Sequence, residues 1–462
     1  MTAADRRDLS LHMADFFAAA RYEDLPESAV EGAKKSILDT FGVCLAGSGR
    51  EPAVQALVDF VRESGGKAES SVLGFGGKVP AVMAALANGA MAHSLDFDDQ
   101  TPWGQHSALT LLPAVFAVAE RRGGVSGREM ITAVAAGQDM FNRLRRHVDW
   151  QKDWNFSTVM GVFCAAAAAC RLLGLDAHRI AQAIGIASMQ CCGTMEVIYS
   201  TGSDMRAMYA GFPAKGAVLS ALLAERDISG VPEVLEGKHG ILPMYFGGRY
   251  DRTAILDGLG ATYTGGLTLY KRWPAVGTAH SHIHATIRLM TDHDLDMAEV
   301  AEIRVHVGDY HQIMCEPIET RRVPATLVDA KFSLPFLVAV AAVNRDLRLA
   351  DFTEAAIRRP EVLVAAQKVV PVADPDLDWK LDLPPGRVEI VTTDGRQFSM
   401  VGTGIPGSVD NPMTWDDILL KFTDCAEAAI VPWTEPQIAR AAQLAQGLEQ
   451  LDDATALLRV TA

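Results

Sequence analysis

Apolar residues recur at helical spacing through most of the first half of the chain. This pattern predicts helices over residues 9–20, 79–92, 108–121, 128–148, 159–173, 180–190 and 214–225, and one more that starts after Pro26 and ends near Gly47. Some segments, such as VMGVFCAAAAAC at residues 159–170, are apolar on every face, which is typical of helices buried by their neighbours. No strand-like alternation occurs before residue 240. The pattern therefore predicts one large all-helical domain over residues 1–266.

The pattern changes at residues 261–277, which are rich in Gly and Pro and mark the predicted domain boundary. Strands are predicted around Ile303, Val305 and Val307, and at residues 387–393 and 397–401 on either side of the hairpin signal Asp394-Gly395. Helices are predicted at residues 279–290, 330–344 and 360–368. We expect a smaller α+β lid domain over residues 267–408, with helices of residues 409–462 completing the helical domain. The predicted fold class is mainly α.

The composition narrows the possible partners. The chain has 462 residues, of which 49% are hydrophobic and 21% charged, as in a globular protein with a large core. Its net charge of −15 argues against nucleic acid, which is bound through Lys and Arg. The apolar run at residues 159–170 is too short to cross a membrane, and residues 1–10 lack a secretory apolar core. The seven cysteines form no C-x-x-C pair, which argues against zinc ribbons and iron–sulfur clusters and favours a reducing compartment. We expect a cytoplasmic protein.

The candidate chemistry is concentrated in residues 88–106, NGAMAHSLDFDDQTPWGQH, within an otherwise apolar region. This stretch contains the following ionisable residues: His93, Asp96, Asp98, Asp99 and His106. Carboxylates this close together raise one another's pKa, so a fold that keeps them beside apolar helices usually has a use for them. The alternative is that the carboxylates cap the next helix or lie solvated in a loop. As a set, they predict a functional site.

Three histidines alternate further along the chain, at positions 280, 282 and 284. On a strand they would share one face and could bind a metal. The apolar residues that follow have helical spacing, which spreads the three around a helix axis. The sequence therefore favours one catalytic histidine, His280, over a metal site.

Three cations complete the set. Arg143 lies one helical turn after Asp139, Arg206 lies among apolar residues and Lys271 precedes the histidine cluster. Carboxylates, histidines and cations without a redox or cofactor motif suit the removal of a proton from carbon next to a carboxylate. The segment GTGIPG at residues 402–407 matches a dinucleotide-binding pattern literally, but no helix is predicted to open there, so we interpret it as a turn.

The chain resembles the MmgE/PrpD family. The resemblance rests on the H-x-x-D-F-D-D motif at residues 93–99 with His106 after it, on YEDLPE and LDTFG within residues 22–42, and on NPMTWDD and KF within residues 411–422. It implies a large helical domain with an α+β lid, an active site between them, a homodimer, and no cofactor or metal. Members of this family include 2-methylcitrate dehydratases, cis-aconitate decarboxylases and an iminodisuccinate epimerase.

The resemblance also implies roles for individual residues. Asp96, His106 and His280 match the family's catalytic positions, and Arg143 matches its helix arginine. Two positions depart from the pattern. Asn155 stands where the decarboxylase branch has histidine, and asparagine cannot shuttle a proton. Arg206 stands where most members have lysine, which keeps the charge but not the ability to act as a base.

We expect a cofactor-independent lyase of the dehydratase type that acts on a small di- or tricarboxylate such as 2-methylcitrate. His106 or His280 would remove the proton, Asp96 would orient a histidine, and the substrate-binding residues would be Arg143, Asn155, Arg206 and Lys271. Epimerisation or decarboxylation of a related polycarboxylate, such as iminodisuccinate or cis-aconitate, remains open. So do a magnesium-dependent diphosphate lyase, with Asp96 and Asp99 facing Asp292, Asp294 and Asp296, and a non-catalytic relative.

Overall fold

The computed structural model describes residues 7–199 and 202–461. The helices of the first part are α1 Leu9–Ala19, α2 Glu27–Arg50, α3 Pro52–Glu63, α4 Ala81–His93, α5 Ala108–Arg122, α6 Gly127–His147, α7 Phe156–Val159, α8 Gly161–Leu172, α9 Ala177–Ala187, α10 Glu196–Tyr199, α11 Met205–Met208, α12 Gly211–Ala224, α13 Ile241–Phe246 and α14 Arg252–Leu256. Those of the second part are α15 His280–Asp292, α16 Asp309–Ile313, α17 Ile318–Arg322, α18 Leu327–Lys331, α19 Leu334–Asn344, α20 Pro360–Gln367, α21 Trp415–Glu427 and α22 Glu435–Gln446. The prediction of a mainly α protein is confirmed.

The main sheet lies in the second part of the chain. Its strands are β3 Val300–Val307, β4 Val369–Ala373, β5 Arg387–Thr392 and β6 Gln397–Val401, in the order β4-β3-β5-β6. The strands β5 and β6 pair antiparallel across the predicted Asp394-Gly395 turn. The strand β4 pairs parallel with β3 and was missed by the sequence analysis, because its run VVPVA does not alternate.

Other sequence predictions need correction. Two-residue strands, β1 Ser70–Ser71 and β2 Lys78–Val79, pair before residue 240, where none was expected. The predicted helix at residues 159–173 begins at Gly161, after the separate turn α7, and that at residues 330–344 is divided into α18 and α19. The residues 402–407 form no helix, in agreement with their interpretation as a turn.

Buried side chains form two large hydrophobic clusters. The first contains most apolar residues of the helices before residue 270, together with Ile418, Phe422 and Leu444 of the last helices. The second contains the inner face of the sheet and the helices α15, α19 and α20. The stretch Met205–Ala224 is long and apolar enough to cross a membrane by length and composition, but 78% of its most apolar 18-residue window is buried inside the protein, as expected of a core helix.

Small residues let the helices α4 and α12 approach closely. A Cβ atom added at Gly89 would lie 2.8 Å from the Cα atom of Gly211, and one added at Gly211 would lie 2.3 Å from the carbonyl oxygen of Leu86. Only hydrogen fits at both positions. This contact fixes the helix α4, whose last residue is His93, against the segment that carries Arg206 and Tyr209.

Candidate active site

A small cavity of about 50 Å³ lies between the two parts of the chain. From the first part it is lined by His93, Asp96, Gln100, Gly104, Gln105, His106, Asn155, Met195, Ile198 and Tyr209. From the second part it is lined by Val276, Gly277, Thr278, Tyr310, Phe332, Trp379 and Leu383. The structure therefore brings Asp96, His106 and Asn155 of the predicted site to one place.

Three buried lysines hold the backbone of the loop that follows α4. Their ammonium groups donate hydrogen bonds to three backbone carbonyls within residues 94–97. Lys331 donates to Ser94 at 2.8 Å, Lys271 to Asp96 at 2.8 Å and Lys421 to Phe97 at 2.6 Å. Each lysine is separated from the loop by more than 170 residues of chain. The tertiary fold therefore sets the conformation of this loop, including the positive φ of 48° at Asp96.

Asp96 forms a buried ion pair with Lys271. Burial by itself would raise the pKa of Asp96, but Lys271 and the two nearby histidines lower it below its usual value. The sequence analysis gave Asp96 the role of orienting a histidine and gave Lys271 the role of binding substrate. In the structure, the ammonium group of Lys271 is instead used to hold Asp96.

Asp98 is the carboxylate that contacts the histidines. Its Oδ1 atom lies 3.0 Å from Nδ1 of His93, and its Oδ2 atom lies 3.0 Å from Nδ1 of His106. Asp98 is completely buried. Burial would raise the pKa of Asp98, but His106 and His93 lower it well below its usual value, so the carboxylate is ionised.

The tautomer of His106 follows from its hydrogen bonds. Its Nδ1 atom lies 2.5 Å from the carbonyl oxygen of Asp99, which can only accept. Nδ1 of His106 therefore carries a hydrogen, and in the neutral ring Nε2 holds the lone pair. Burial would lower the pKa of His106, but the Asp98 carboxylate raises it above its usual value. This imidazole is held as a base whose free nitrogen is Nε2.

Asp99 has a different environment from its neighbour. Its Oδ1 atom accepts a hydrogen bond from the backbone N–H of Ala108 at 3.2 Å, in the first turn of α5. Burial, together with Asp98 and Asp39, raises the pKa of Asp99 to about 7. Asp99 is therefore the carboxylate of this cluster that caps the next helix, which was the alternative to a functional role.

His280 lies in a second cavity of about 190 Å³ that also contains Lys271. The two cavities share Gln100, Gly277, Thr278 and Leu383 in their walls, so they are neighbours. The Nε2 atom of His280 lies 3.2 Å from the carbonyl oxygen of Ala275 and donates to it. Burial and Lys271 lower the pKa of His280 to about 3, so its imidazole is neutral at pH values near 7. The structure brings His280 beside the cavity of His106 but not into it.

The three alternating histidines lie on the helix α15, as predicted. The Nε2 atom of His282 donates to the carbonyl oxygen of His306 at 2.8 Å, and His284 is partly exposed on another face. They form no common site.

Arg206 is buried directly behind the wall of the first cavity. Its guanidinium carbon lies 3.4 Å from the ring centre of Phe332, which lines the cavity. Its Nε atom has no hydrogen-bond partner among the described residues. Burial lowers the pKa of Arg206 to about 10, and its charge interacts with Tyr310, Asp96 and Tyr209 at the cavity. In the ranges 7–199 and 202–461, no lysine or arginine lines the first cavity itself.

Asn155 lines the cavity at the start of α7. Its side-chain oxygen accepts from the backbone N–H of Thr158 at 3.3 Å, which caps this short helix. The side-chain amide nitrogen is left to contact the cavity and the hydroxyl of Tyr209.

The structure does not bring Arg143 to either cavity. Its guanidinium group forms an ion pair with Asp139 at 2.7 Å and donates to the carbonyls of Ile255, Asp257, Gly258 and Thr262. The sequence spacing correctly predicts that Arg143 and Asp139 share one face of α6. The hydrogen bonds of Arg143 connect α6 to the end of α14 and the loop after it, and not to a substrate cavity. We therefore leave Arg143 out of the substrate-binding set.

Several cavity residues were missed from the sequence. Tyr310 and Trp379 reach the cavity from the segment after β3 and from a loop after β4, and no local pattern marks them. The acidic motif includes Asp98, but the sequence predicts no separate role for it, because spacing does not show which of three neighbouring carboxylates faces a histidine.

A metal could in principle use His93, Asp98 and His106, whose ligand atoms lie within 4.8 Å of one another. The hydrogen on Nδ1 of His106 argues against this, since a metal would need the lone pair of that nitrogen. The second acidic motif required by a diphosphate lyase also faces elsewhere. Asp292 pairs with Arg288 at 2.8 Å, and the exposed Asp294 pairs with Arg345 at 3.0 Å. The geometry of the donors suits proton transfer.

The fold and this cavity define a mainly helical protein with a small cavity, lined by His93, Asp96 and His106, between two hydrophobic cores. A model of the MmgE/PrpD N-terminal domain matches residues 11–253, and a model of the MmgE/PrpD C-terminal domain matches residues 273–445. The chain belongs to the MmgE/PrpD family, as the resemblance of its motifs predicted.

Similar proteins include a cis-aconitate decarboxylase of Aspergillus terreus (strain NIH 2624 / FGSC A1156), which is 29% identical over 95% of this chain and 92% of its own. The cis-aconitate decarboxylase-like protein oryM of Aspergillus oryzae (strain ATCC 42149 / RIB 40) is 26% identical over 92% and 91% of the two chains. The cis-aconitate decarboxylase of Homo sapiens is 24% identical over 94% and 90%.

Proposed function

We propose that this protein is a cofactor-independent lyase of the dehydratase type that acts on a small di- or tricarboxylate such as 2-methylcitrate. The observation that carries the proposal is the state of His106. Its Nδ1 hydrogen is fixed by the carbonyl of Asp99 and by Asp98, so the basic Nε2 atom belongs to a ring that lines the cavity. A positioned imidazole of this kind contributes about 10²–10⁴-fold to proton transfer.

In the proposed reaction, Nε2 of His106 removes a proton from the carbon next to a substrate carboxylate. The electron pair of that C–H bond forms a carbon–carbon double bond, and the bond to the hydroxyl group on the adjacent carbon breaks. The hydroxyl group leaves as water after it receives a proton. Negative charge develops on the carboxylate while the C–H bond breaks, and fixed positive charge and hydrogen-bond donors lower the energy of that state.

Arg206 supplies the positive charge in this proposal. Its guanidinium group lies behind Phe332 and has an unpartnered Nε atom, so a carboxylate that displaces the Phe332 ring would reach it. Gln100, Asn155 and Thr278 offer further polar contacts from the cavity wall. His280 is neutral and would act as a hydrogen-bonding group from the neighbouring cavity.

Decarboxylation is the second candidate, because the similar proteins carry the name cis-aconitate decarboxylase. That reaction replaces a carboxylate by a proton on carbon and needs an acid above that carbon. Asn155 cannot donate a proton as an acid, so decarboxylation would have to take that proton from another residue of the cavity. Epimerisation of a polycarboxylate would use the same base and would return the proton to the opposite face.

The test is to incubate the protein in deuterated water with 2-methylcitrate, citrate, cis-aconitate and iminodisuccinate, and to follow products by NMR. We expect one unsaturated product and deuterium at one substrate carbon. His106→Gln should lose at least about 10²-fold in rate. The matched control is His284→Gln, which changes a partly exposed histidine that lines neither cavity.

Each other outcome has a distinct meaning. Release of carbon dioxide would support the decarboxylase, and inversion without a new double bond would support the epimerase. Absence of both product and deuterium exchange would contradict every enzymatic proposal and support a non-catalytic relative. We also propose that the protein is a cytoplasmic homodimer.

A further inference from the structure

The proposed dehydration needs an acid as well as a base, and His280 does not fit that role. Its pKa is lowered to about 3 and its Nε2 hydrogen is used by the carbonyl of Ala275. Such a ring holds no extra proton at neutral pH. The proton for the leaving hydroxyl group must therefore come from another residue of the cavity wall.

We propose that His93 is this second catalytic residue, and that Asp98 positions His93 and His106 so that the three groups hold one exchangeable proton. This inference rests on the proposed function for its chemistry, but its geometry does not. Asp98 is ionised and can only accept, so Nδ1 of His93 donates to its Oδ1 atom at 3.0 Å. Nδ1 of His106 donates to the carbonyl of Asp99 and lies 3.0 Å from the Oδ2 atom of Asp98, close enough for its charge to be felt. Both rings line the cavity, and their centres are 5.2 Å apart.

The positions of the Nε2 atoms agree with this assignment. Nδ1 of His93 is bound to Asp98 and Nδ1 of His106 is bound to the carbonyl of Asp99, so Nε2 is the nitrogen of each ring that can exchange a proton with substrate. Among the described residues, neither His93 nor His106 has a hydrogen bond at Nε2. The ring of Tyr209 packs on His93 with centres 4.5 Å apart and keeps it in place.

The balance of buried charge supports one shared proton. Three other carboxylates around the loop each have a lysine partner: Asp96 has Lys271, Asp39 has Lys421 and Glu51 has Lys331. Asp99 can remain protonated, since its pKa is about 7. Asp98 has no lysine or arginine partner within ion-pair distance in the described chain, and a buried carboxylate needs a compensating charge. One imidazolium supplies it.

The proton therefore makes one ring an acid and leaves the other a base. The reacting state is the one in which the shared proton lies on His93: Nε2 of neutral His106 takes the proton from carbon, and His93 gives its Nε2 hydrogen to the leaving hydroxyl group. After the step His106 is protonated and His93 is neutral, with water released. The starting state returns when Nε2 of His106 passes its proton to Nε2 of His93 through a water molecule in the cavity.

The direct test is a histidine nitrogen NMR titration of the full-length protein without substrate, with signals assigned by His93→Gln and His106→Gln. In the wild-type protein we expect Nδ1 of both rings to be protonated and one further proton to be shared by the pair at neutral pH, lost in a single coupled step. In Asp98→Asn we expect the apparent pKa of that step to fall by about one unit or more.

The matched control is Asp99→Asn, which removes a carboxylate from the same loop but keeps the backbone carbonyl that binds His106. It should leave the coupled step within about half a pKa unit of the wild type. Two wild-type imidazoles that are both neutral at neutral pH, or that titrate independently, would overturn the proposal. This test needs no known substrate.

Kinetics with an accepted substrate provide a second measurement. His93→Gln keeps the base, so it should keep deuterium exchange at carbon within about tenfold while it lowers kcat for water loss by about 10²-fold, with little change in KM. His106→Gln should lose both. Equal loss of exchange and elimination in His93→Gln, with unchanged histidine signals, would assign His93 a purely structural role.

Discussion

At the scale of single residues, the pKa values of Asp98 and Asp99 are shifted in opposite directions although the two residues are adjacent in sequence. Asp98 lies beside two imidazoles, which lower its pKa. Asp99 accepts from a helix N–H, and burial together with the negative charge of Asp98 raises its pKa to about 7. The difference arises from the direction of each side chain. Burial is the same for both.

Asp99→Asn should therefore stabilise the protein as pH rises. The pKa of Asp99 is higher in the folded chain than in the unfolded chain, so its favourable contribution is present at low pH and is lost as pH rises to about 7. The amide keeps an acceptor for Ala108 and has no charge. Relative to the wild type, its free energy of unfolding should rise by up to about 1.4 kcal/mol per pH unit between about pH 5 and pH 7.

Urea unfolding across this pH range measures the effect, and Asp98→Asn is the comparison of opposite sign. The pKa of Asp98 is lowered by folding, so its contribution is present at neutral pH and is lost as pH falls. Asp98→Asn should thus be less stable than the wild type at neutral pH, with the difference shrinking in acid. A constant difference between Asp99→Asn and the wild type would contradict the assignment of Asp99.

At the scale of elements, the loop between α4 and α5 is held by lysines from α18, from α21 and from the segment before α15. Its own sequence has no regular structure to define its shape. Each lysine forms an ion pair with a buried carboxylate and also donates a hydrogen bond to a backbone carbonyl of the loop. The conformation of the loop therefore depends on residues that lie far from it in the sequence.

Lys421→Met should destabilise the protein by about 3–5 kcal/mol, because it leaves Asp39 buried without its partner at 2.6 Å and the carbonyl of Phe97 without its donor. The double variant Lys421→Met with Asp39→Asn should recover part of this loss, since no buried charge remains. Denaturant unfolding of the two variants measures both values. A single variant within about 0.5 kcal/mol of the wild type would show that this ion pair does not hold the loop.

At the scale of the whole molecule, the cavity exists because two hydrophobic cores meet along the loop that carries Asp96 and Asp98. Residues of both parts line it, and the sheet and α16 bring Tyr310 opposite His106. Exposed apolar side chains lie mainly elsewhere, for example Met189, Val231 and Met244 at 80%, 55% and 61% exposure.

The resemblance to the MmgE/PrpD family implies a homodimer, and we expect one in solution. Light scattering during size-exclusion chromatography should give a mass of about twice the 49.6 kDa of one chain. The mass should be unchanged in His106→Gln, because the cavity is internal to one chain. A mass of one chain at micromolar concentration would contradict this prediction.

The sequence by itself determined the mainly α character, the sheet hairpin at Asp394-Gly395 and the acidic motif with His106. These features depend on local periodicity and on short motifs, which can be recognised without knowledge of the fold. It also placed Arg143 beside Asp139, but the predicted substrate-binding role of Arg143 does not agree with its position outside both cavities, because an arginine that binds backbone carbonyls has the same spacing as one that binds substrate.

Only the tertiary structure decided which carboxylate faces the histidines, which lysine is already paired and which histidine enters the cavity. Asp96, Asp98 and Asp99 differ by one or two positions in sequence, yet one contacts a lysine, one contacts two imidazoles and one contacts a helix terminus. The side-chain directions in this loop are fixed by lysines more than 170 residues away. Charge states in a buried site depend on such distant partners, and sequence spacing does not contain them.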